Sequence, residues 1–356
     1  MRLLFVITGM KSGGAERVMA TLSNELSNNN IVRLVILKDA ASDYYISDRV
    51  EIVSGNIKNK NIFSSVKFLK SQIEEFKPDL VLSFMTKTNI VSLITKKISS
   101  YKCPVVISER ANPYYTKGVL SFLRKKIYPC ADGCVFQTKM AQNYYKNILS
   151  CNNVVIKNPL SRDFNVKPFL GKRKKKIVCT ARLSPEKNQA FLIKTFSLIK
   201  DKYPGYKLEI YGEGPNRGKL QTLINEVDDG HIIKLMGRKH DIIKYIQDAS
   251  VFVLPSNSEG MPNALLEAMA LGVPSISTDC PIGGPAEIID DGVNGLLIPM
   301  NDQGALIKAI DKIITDEDFA KRIGKKAVEV IDKFNTDKVC KEWENYLINV
   351  KENYYG

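Results

Sequence analysis

The chain has 356 residues, 44% hydrophobic and 25% charged, with 52 Lys and Arg against 38 Asp and Glu, a net charge of +14. This length suits two domains with separate cores, and the apolar content excludes wholesale disorder. No apolar run approaches the roughly 18 residues that a membrane-spanning helix needs.

In chain order, residues 3–8 read as a buried strand rather than a signal peptide, because the run passes into K-S-G-G with no small-residue cleavage site. Residues 16–27 read as an amphipathic helix and 32–37 as a second strand. Further runs at 80–84, 105–108, 133–137 and 154–156 are continuous and not alternating, the mark of strands covered on both faces. An irregular stretch over 161–170 reads as a linker and leads into five cations at 172–176. A second series follows, with strands at 176–180, 207–211, 232–236, 251–254, 275–278 and 295–298. Helices are expected over 188–203, 219–227 and 241–249, another opens near Pro262, and the tail around 341–355 is helical. The pattern predicts two tandem doubly wound α/β domains of parallel sheet, with ligands at the carboxyl ends of the strands and in the cleft between the halves. The boundaries expected are 1–165 and 166–335, with 336–356 a helix packing back on the first domain.

The charge is one-sided. Residues 1–160 carry 23 Lys and Arg against 11 Asp and Glu, net +12, whereas 161–356 carry 29 against 27, net +2. An anionic partner is expected for the first half: nucleic acid, lipid headgroups or a phosphorylated substrate. Seven cysteines form no C-x-x-C pair, and the only histidines are His231 and His240, so no zinc site is expected and the thiols read as reduced.

The string S-N-S-E-G-M-P-N-A-L-L-E-A at 256–268 follows a strand and opens a helix. The free amides of that first turn attract phosphate. Glu259 precedes the helix and Glu267 lies about one turn inside it, so one carboxylate can reach a sugar and the other a ribose; the competing reading is two ordinary helix-flanking acids. The string A-R-L-S-P-E-K-N at 181–188 places Arg182 and Lys187 in a strand-to-helix loop, either as a diphosphate clamp or as a solvated surface loop. Asp316-Glu317-Asp318 matches an Asp-x-Asp metal string, but its place before a helix favours capping. Within 114–128, Phe122, Arg124, Lys125 and Lys126 fit an amphipathic helix on anionic lipid, or a core-packed helix with a solvated basic face.

Together E-x7-E, A-R-L-S-P-E-K-N, the opening G-M-K-S-G-G-A-E-R and the closing G-G-P-A-E-I-I…G-V-N-G resemble family 4 glycosyltransferases, over nearly the whole chain and in the expected order. These are retaining, nucleotide-sugar-dependent enzymes of the GT-B fold. The chain is similar to the bacterial group that extends polyprenyl-diphosphate-linked glycans, including N-acetylgalactosaminyl transferases. The resemblance implies that Arg182 and Lys187 hold the donor diphosphate, Glu259 meets a hydroxyl of the transferred sugar and Glu267 the ribose hydroxyls. The backbone of Gly260, Met261, Pro262 and Asn263 completes the phosphate site. Gly13 and Gly14 let the backbone approach a diphosphate or acceptor, or make a tight turn only. Gly237 and Arg238 lie near the base. Arg110 stands where many relatives have a histidine, either touching phosphate or sugar, or pairing structurally with Glu109.

The activity implied is transfer of a hexose or N-acetylhexosamine from a UDP-sugar, with retention, to a lipid-linked saccharide in bacterial surface polysaccharide or glycan assembly. No cofactor and no metal are expected. The first half would receive the acceptor, so its charge points to lipid diphosphate and a peripheral place on the cytoplasmic face of the plasma membrane. Two rivals are weaker. A nucleic-acid-binding protein leaves the paired phosphate motifs unexplained, and a GT-B-fold epimerase lacks histidine chemistry with only His231 and His240 available.

Overall fold

The computed structural model describes residues 1–11, 13–57, 61–169, 171–228 and 230–356. Ser12 of the G-M-K-S-G-G-A-E-R string and Leu170 at the end of the expected linker lie outside the described residues. The chain divides into two compact units, Met1–Pro159 with Thr336–Gly356, and Leu160–Asn335.

In the first unit seven strands form one parallel sheet: β1 (Arg2–Ile7), β2 (Ile31–Ile36), β3 (Val50–Ser54), β4 (Leu80–Phe84), β5 (Val105–Ser108), β6 (Gly133–Phe136) and β7 (Asn152–Val155), in the order β3-β2-β1-β4-β5-β6-β7. Every residue of β4, β5 and β6 is buried, as continuous apolar runs between two helix layers require. β3 is an addition to the expected strands; its V-E-I-V-S is half exposed at the sheet edge, so it lacks that signature. The last helix, Thr336–Tyr355, belongs to this unit: Trp343 is fully buried, 5.8 Å from the Phe84 ring, and the Tyr346 hydroxyl accepts the Cys134 amide at 2.9 Å.

The second unit repeats the plan with β8 (Lys174–Thr180), β9 (Lys207–Tyr211), β10 (Ile233–Gly237), β11 (Ala249–Leu254), β12 (Ser275–Thr278) and β13 (Leu296–Ile298), ordered β10-β9-β8-β11-β12-β13. Its first strand begins inside the basic run. Lys174 and Lys176 both reach the Asp248 carboxylate, at 2.8 and 2.7 Å, so these cations are built into the start of β8. The same contact shortens the helix expected over 241–249 to Ile243–Ile246: Asp248 turns inward, its carbonyl accepts the Lys174 amide, and the chain enters β11 at Ala249. The unit begins at Leu160, whose amide bonds the Phe334 carbonyl at 2.8 Å, so 160–165 fall with the second unit instead of the first.

Each sheet reverses its strand order once, between β1 and β4 and between β8 and β11. Loops leaving the carboxyl ends of those neighbours diverge and leave a crevice where ligands of such sheets bind. The loops after β8 and β11 carry the 181–188 and 256–263 strings. The loop after β1 carries Gly13 and Gly14.

Candidate active site

In the second unit, the loop after β8 makes one turn of 3-10 helix, Pro185–Lys187, and Asn188 takes a left-handed conformation (φ 51°) before the helix Gln189–Ile199. That reversal turns Lys187 towards the loop after β11. Its ammonium meets Glu259 Oε1 at 2.6 Å, and the buried Ser256 hydroxyl donates to the same oxygen at 2.7 Å. Both bonds fall on Oε1, which leaves Oε2 to accept from a ligand. Burial disfavours the charged amine, but the Glu259 carboxylate outweighs it and holds the Lys187 ammonium above its ordinary pKa. The nearby Cys280 thiol is pushed up to about 12, first by burial and then by Glu259.

Further bonds stitch the loops of this edge together. The Asn257 amide bonds the Glu186 carbonyl at 2.8 Å, the Leu183 amide the Glu213 carbonyl at 3.0 Å, and the Gly212 amide the Gly237 carbonyl at 2.9 Å. Two glycines permit the close approach. At Gly212 (φ 141°) a β-carbon would lie 1.9 Å from the Ala181 carbonyl oxygen, and at Gly284 it would lie 1.7 Å from that of Gly260.

Lys187 and Glu259 are therefore joined, and Gly237 lies on the same edge. Arg182 opens the same loop; its guanidinium is exposed and has no ion pair or hydrogen bond among the described residues. Arg238 is exposed just beyond β10. Pro262 is the N-cap of the helix Asn263–Ala270, and Glu267 is buried within that helix. Gly260 and Met261 lead into it. Asp316 caps the helix Glu317–Ala327, accepting the Phe319 amide at 2.9 Å, and among the described residues no three His, Cys, Asp or Glu are grouped to hold a metal.

In the first unit, Gly13 is extended (φ −169°) at the N-cap of the helix Gly14–Leu26, a conformation open to any residue, so no left-handed turn demands the glycine. Arg110 does not pair with Glu109. Its guanidinium stacks 4.1 Å from the Phe84 ring centroid and donates to Asn158 Oδ1 at 2.8 Å. The residue is only 8% exposed, and burial lowers its pKa to about 9 against the influence of Glu16. The Glu109 carboxylate is held instead by the hydroxyls of Thr86, Tyr128 and Tyr145 and by the Arg110 amide.

Arg124 departs from the lipid-facing role expected of it. In the helix Gly118–Ile127 it is fully buried, donates to the Pro113 carbonyl and the Tyr144 hydroxyl, and lies over the Tyr144 and Tyr145 rings. Helical spacing turns it inward while Val119, Phe122, Lys125 and Lys126 face outward, with Val119 and Phe122 76% and 62% exposed.

Sequence reasoning passed over Ser256, although it stands three residues before Glu259 in the quoted string. It also passed over Tyr44, which grips Gly13 and has no sequence signal.

The profile of the family described as "Glycosyl transferases group 1" matches residues 161–330. A Campylobacter jejuni protein named as a GalNAc-alpha-(1->4)-GalNAc-alpha-(1->3)-diNAcBac-PP-undecaprenol alpha-1,4-N-acetyl-D-galactosaminyltransferase is 28% identical, over 99% of this chain and 99% of that protein. An uncharacterized glycosyltransferase of Methanocaldococcus jannaschii is 30% identical, over 83% of this chain and 87% of its own. Anabaena HepE, solved in complex with UDP, superposes with a TM-score of 0.82 at 19% identity, over 98% of this chain and 100% of that one.

Proposed function

This chain belongs to the group 1 glycosyltransferases, and from that premise we propose that it moves a hexose or N-acetylhexosamine from a UDP-sugar to a polyprenyl-diphosphate-linked saccharide, with retention of anomeric configuration. The observation that carries this reading is that half-buried Lys187 pairs with the buried Glu259, while the same strand-to-helix loop carries Arg182, exposed and without a side-chain partner among the described residues. Lys187 spends one donor on Glu259 and keeps two for phosphate oxygens, and Arg182 adds a planar fork. The two cations offset the charge that gathers on the departing UDP, so no metal or other cofactor is required.

Glu259 Oε2 accepts a hydroxyl of the transferred sugar, and Glu267 serves the ribose. The backbone of Gly260 to Asn263, with Gly237 and Arg238, completes the second unit's contacts to phosphate and base, and the Gly13–Gly14 turn of the first unit is assigned to a diphosphate or the acceptor. Glu259 is committed to Lys187 and Ser256, and is better suited to holding a hydroxyl than to attacking carbon. The acceptor hydroxyl then attacks on the face the phosphate leaves, and the leaving phosphate takes its proton. The alpha linkage in the C. jejuni relative's name and the UDP in the HepE structure support this choice of chemistry.

The acceptor is assigned to the first unit, whose residues 110–159 include a single acid, Asp132, itself paired with Lys96 at 2.6 Å. Exposed Tyr114, Tyr115, Val119 and Phe122 beside Lys117, Lys125 and Lys126 suit an anionic bilayer surface on the cytoplasmic side. Among the described residues no helix is long and apolar enough to cross a membrane. The test is turnover of UDP-sugars with a polyprenyl-diphosphate-linked saccharide in the presence of EDTA, with the product anomer read by NMR. Turnover with the donor's configuration is expected. An inverted product overturns retention, and loss of activity in EDTA overturns metal independence.

A further inference from the structure

The loop after β1 is held from outside by a residue that nothing above uses in the reaction. Tyr44 lies between β2 and β3. Its hydroxyl donates to the Gly13 carbonyl at 2.9 Å and accepts the Gly13 amide at 3.0 Å, so a single phenol fixes both faces of one peptide residue. Gly13 is the N-cap of the helix Gly14–Leu26 and has no side chain to cap it. Its carbonyl also accepts the Arg17 amide at 3.1 Å, the first bond of that helix. The half-buried Tyr44 ring packs against the first unit's core, with the Arg17 guanidinium 5.8 Å away.

The rest of the Tyr44 segment is tied to the same loop. Met10 and Ser42 form an isolated bridge, the Asp43 amide bonds the Met10 carbonyl at 3.1 Å, and Lys11 meets Asp39 at 3.2 Å. The Gly13 amide is thus already spent, and any phosphate reaching this turn must be met by the next amides, those of Gly14 and Ala15, which have no acceptor inside the helix.

We propose that Tyr44 is a positioning residue for transfer: its hydroxyl fixes Gly13 in the extended form that holds the Gly14 and Ala15 amides towards a substrate phosphate. This rests on the reading of the Gly13–Gly14 turn as a phosphate contact. Tyr44→Phe in the full chain removes both bonds and keeps the ring. Two neutral hydrogen bonds correspond to about a tenfold loss. The expected result is a KM raised about tenfold for one substrate with kcat changed less than about twofold. UDP-sugar and lipid-linked acceptor are titrated separately, so that the affected one identifies whose phosphate the turn serves. Hydrogen exchange over 13–18 should quicken in the same variant.

Asp39→Asn, which loosens the same segment without touching Gly13, should leave both KM values unchanged. The proposal is overturned if Tyr44→Phe lowers Tm while both KM values stay put, if exchange over 13–18 does not change, or if Asp39→Asn raises KM equally. Absence of UDP-sugar turnover in the unsubstituted protein would instead refute the functional reading, and the exchange measurement would still judge the grip of Tyr44 on the turn.

Discussion

The two units carry equal numbers of cations and use them differently. Each holds 26 Lys and Arg, but the first has 15 acids and the second 23. In the second unit the conspicuous basic run is largely consumed internally: Lys174 and Lys176 meet Asp248, and Arg173 donates to the carbonyls of Gln247, Ala249 and Gly272. In the first unit Lys117, Lys125 and Lys126 are exposed and have no partner among the described residues. A cation that is paired reports how the fold is built, whereas one left exposed and unpaired calls for a partner. Exposed lysines such as Lys194, Lys207 and Lys219 also have no side-chain partner among the described residues, so exposure counts only where it coincides with other features. Arg182 shares its loop with Lys187 in the second unit, and the outward lysines of the helix Gly118–Ile127 stand beside exposed Val119 and Phe122 in the first.

Lys187 is both paired with Glu259 and assigned to the donor. Lys187→Ala leaves Glu259 buried beside Ser256 without its cation. It should cost about 3–5 kcal/mol in denaturant unfolding and about 10²–10³-fold in kcat/KM. The Lys187 ammonium is held above its ordinary pKa, so the pair's contribution is complete at neutral pH and is lost only as pH rises through that raised value. Arg182→Ala should separate the two effects, with kcat/KM falling by about tenfold to a hundredfold and stability staying within about 0.5 kcal/mol. Equal destabilisation by both substitutions would break the distinction between paired and free cations.

Asp248 tests the structural side alone. Burial would raise its pKa, but Lys174 and Lys176 prevail and hold it below the usual value. Its contribution is therefore present above the ordinary carboxylate pKa and is lost as pH falls through the lower folded value. Asp248→Asn should cost about 1.5–3 kcal/mol at pH 7, should flatten the acid limb of a stability profile, and should leave transfer unchanged. At the small end, Lys125→Gln and Lys126→Gln should each weaken sedimentation with anionic vesicles by about 1 kcal/mol, an effect that salt erases. The buried Arg124, changed to Ala, should lower Tm instead; vesicle binding lost without a change in Tm would put Arg124 on the surface after all.

Much of the fold was legible because parallel strands buried on both faces leave unbroken apolar runs: 80–84, 105–108, 207–211 and 275–278 match their strands end to end. β3 was not, because an edge strand reading V-E-I-V-S has no such run. Arg124 was misplaced because the basic string alone does not say which face of its helix turns inward. At the site, both loops were legible as strings, but the bond between Lys187 and Glu259 joins residues 72 apart in sequence and depends on β8 lying beside β11. Tyr44 had no signal at all, since a tyrosine in D-A-A-S-D-Y-Y is unremarkable until it meets Gly13.

In the function proposed above, the second unit holds a UDP-sugar diphosphate between Lys187 and Arg182. Thermal unfolding of the full chain and of Arg182→Ala with a panel of nucleotide sugars tests it most directly, since the Arg182 guanidinium has no partner among the described residues. The account predicts that a UDP-sugar at 100 times its Kd stabilises the unsubstituted chain by about 2.7 kcal/mol, and that Arg182→Ala, equally stable alone, loses most of that gain at the same concentration. An undiminished shift in Arg182→Ala, or no shift with any UDP-sugar, would contradict it.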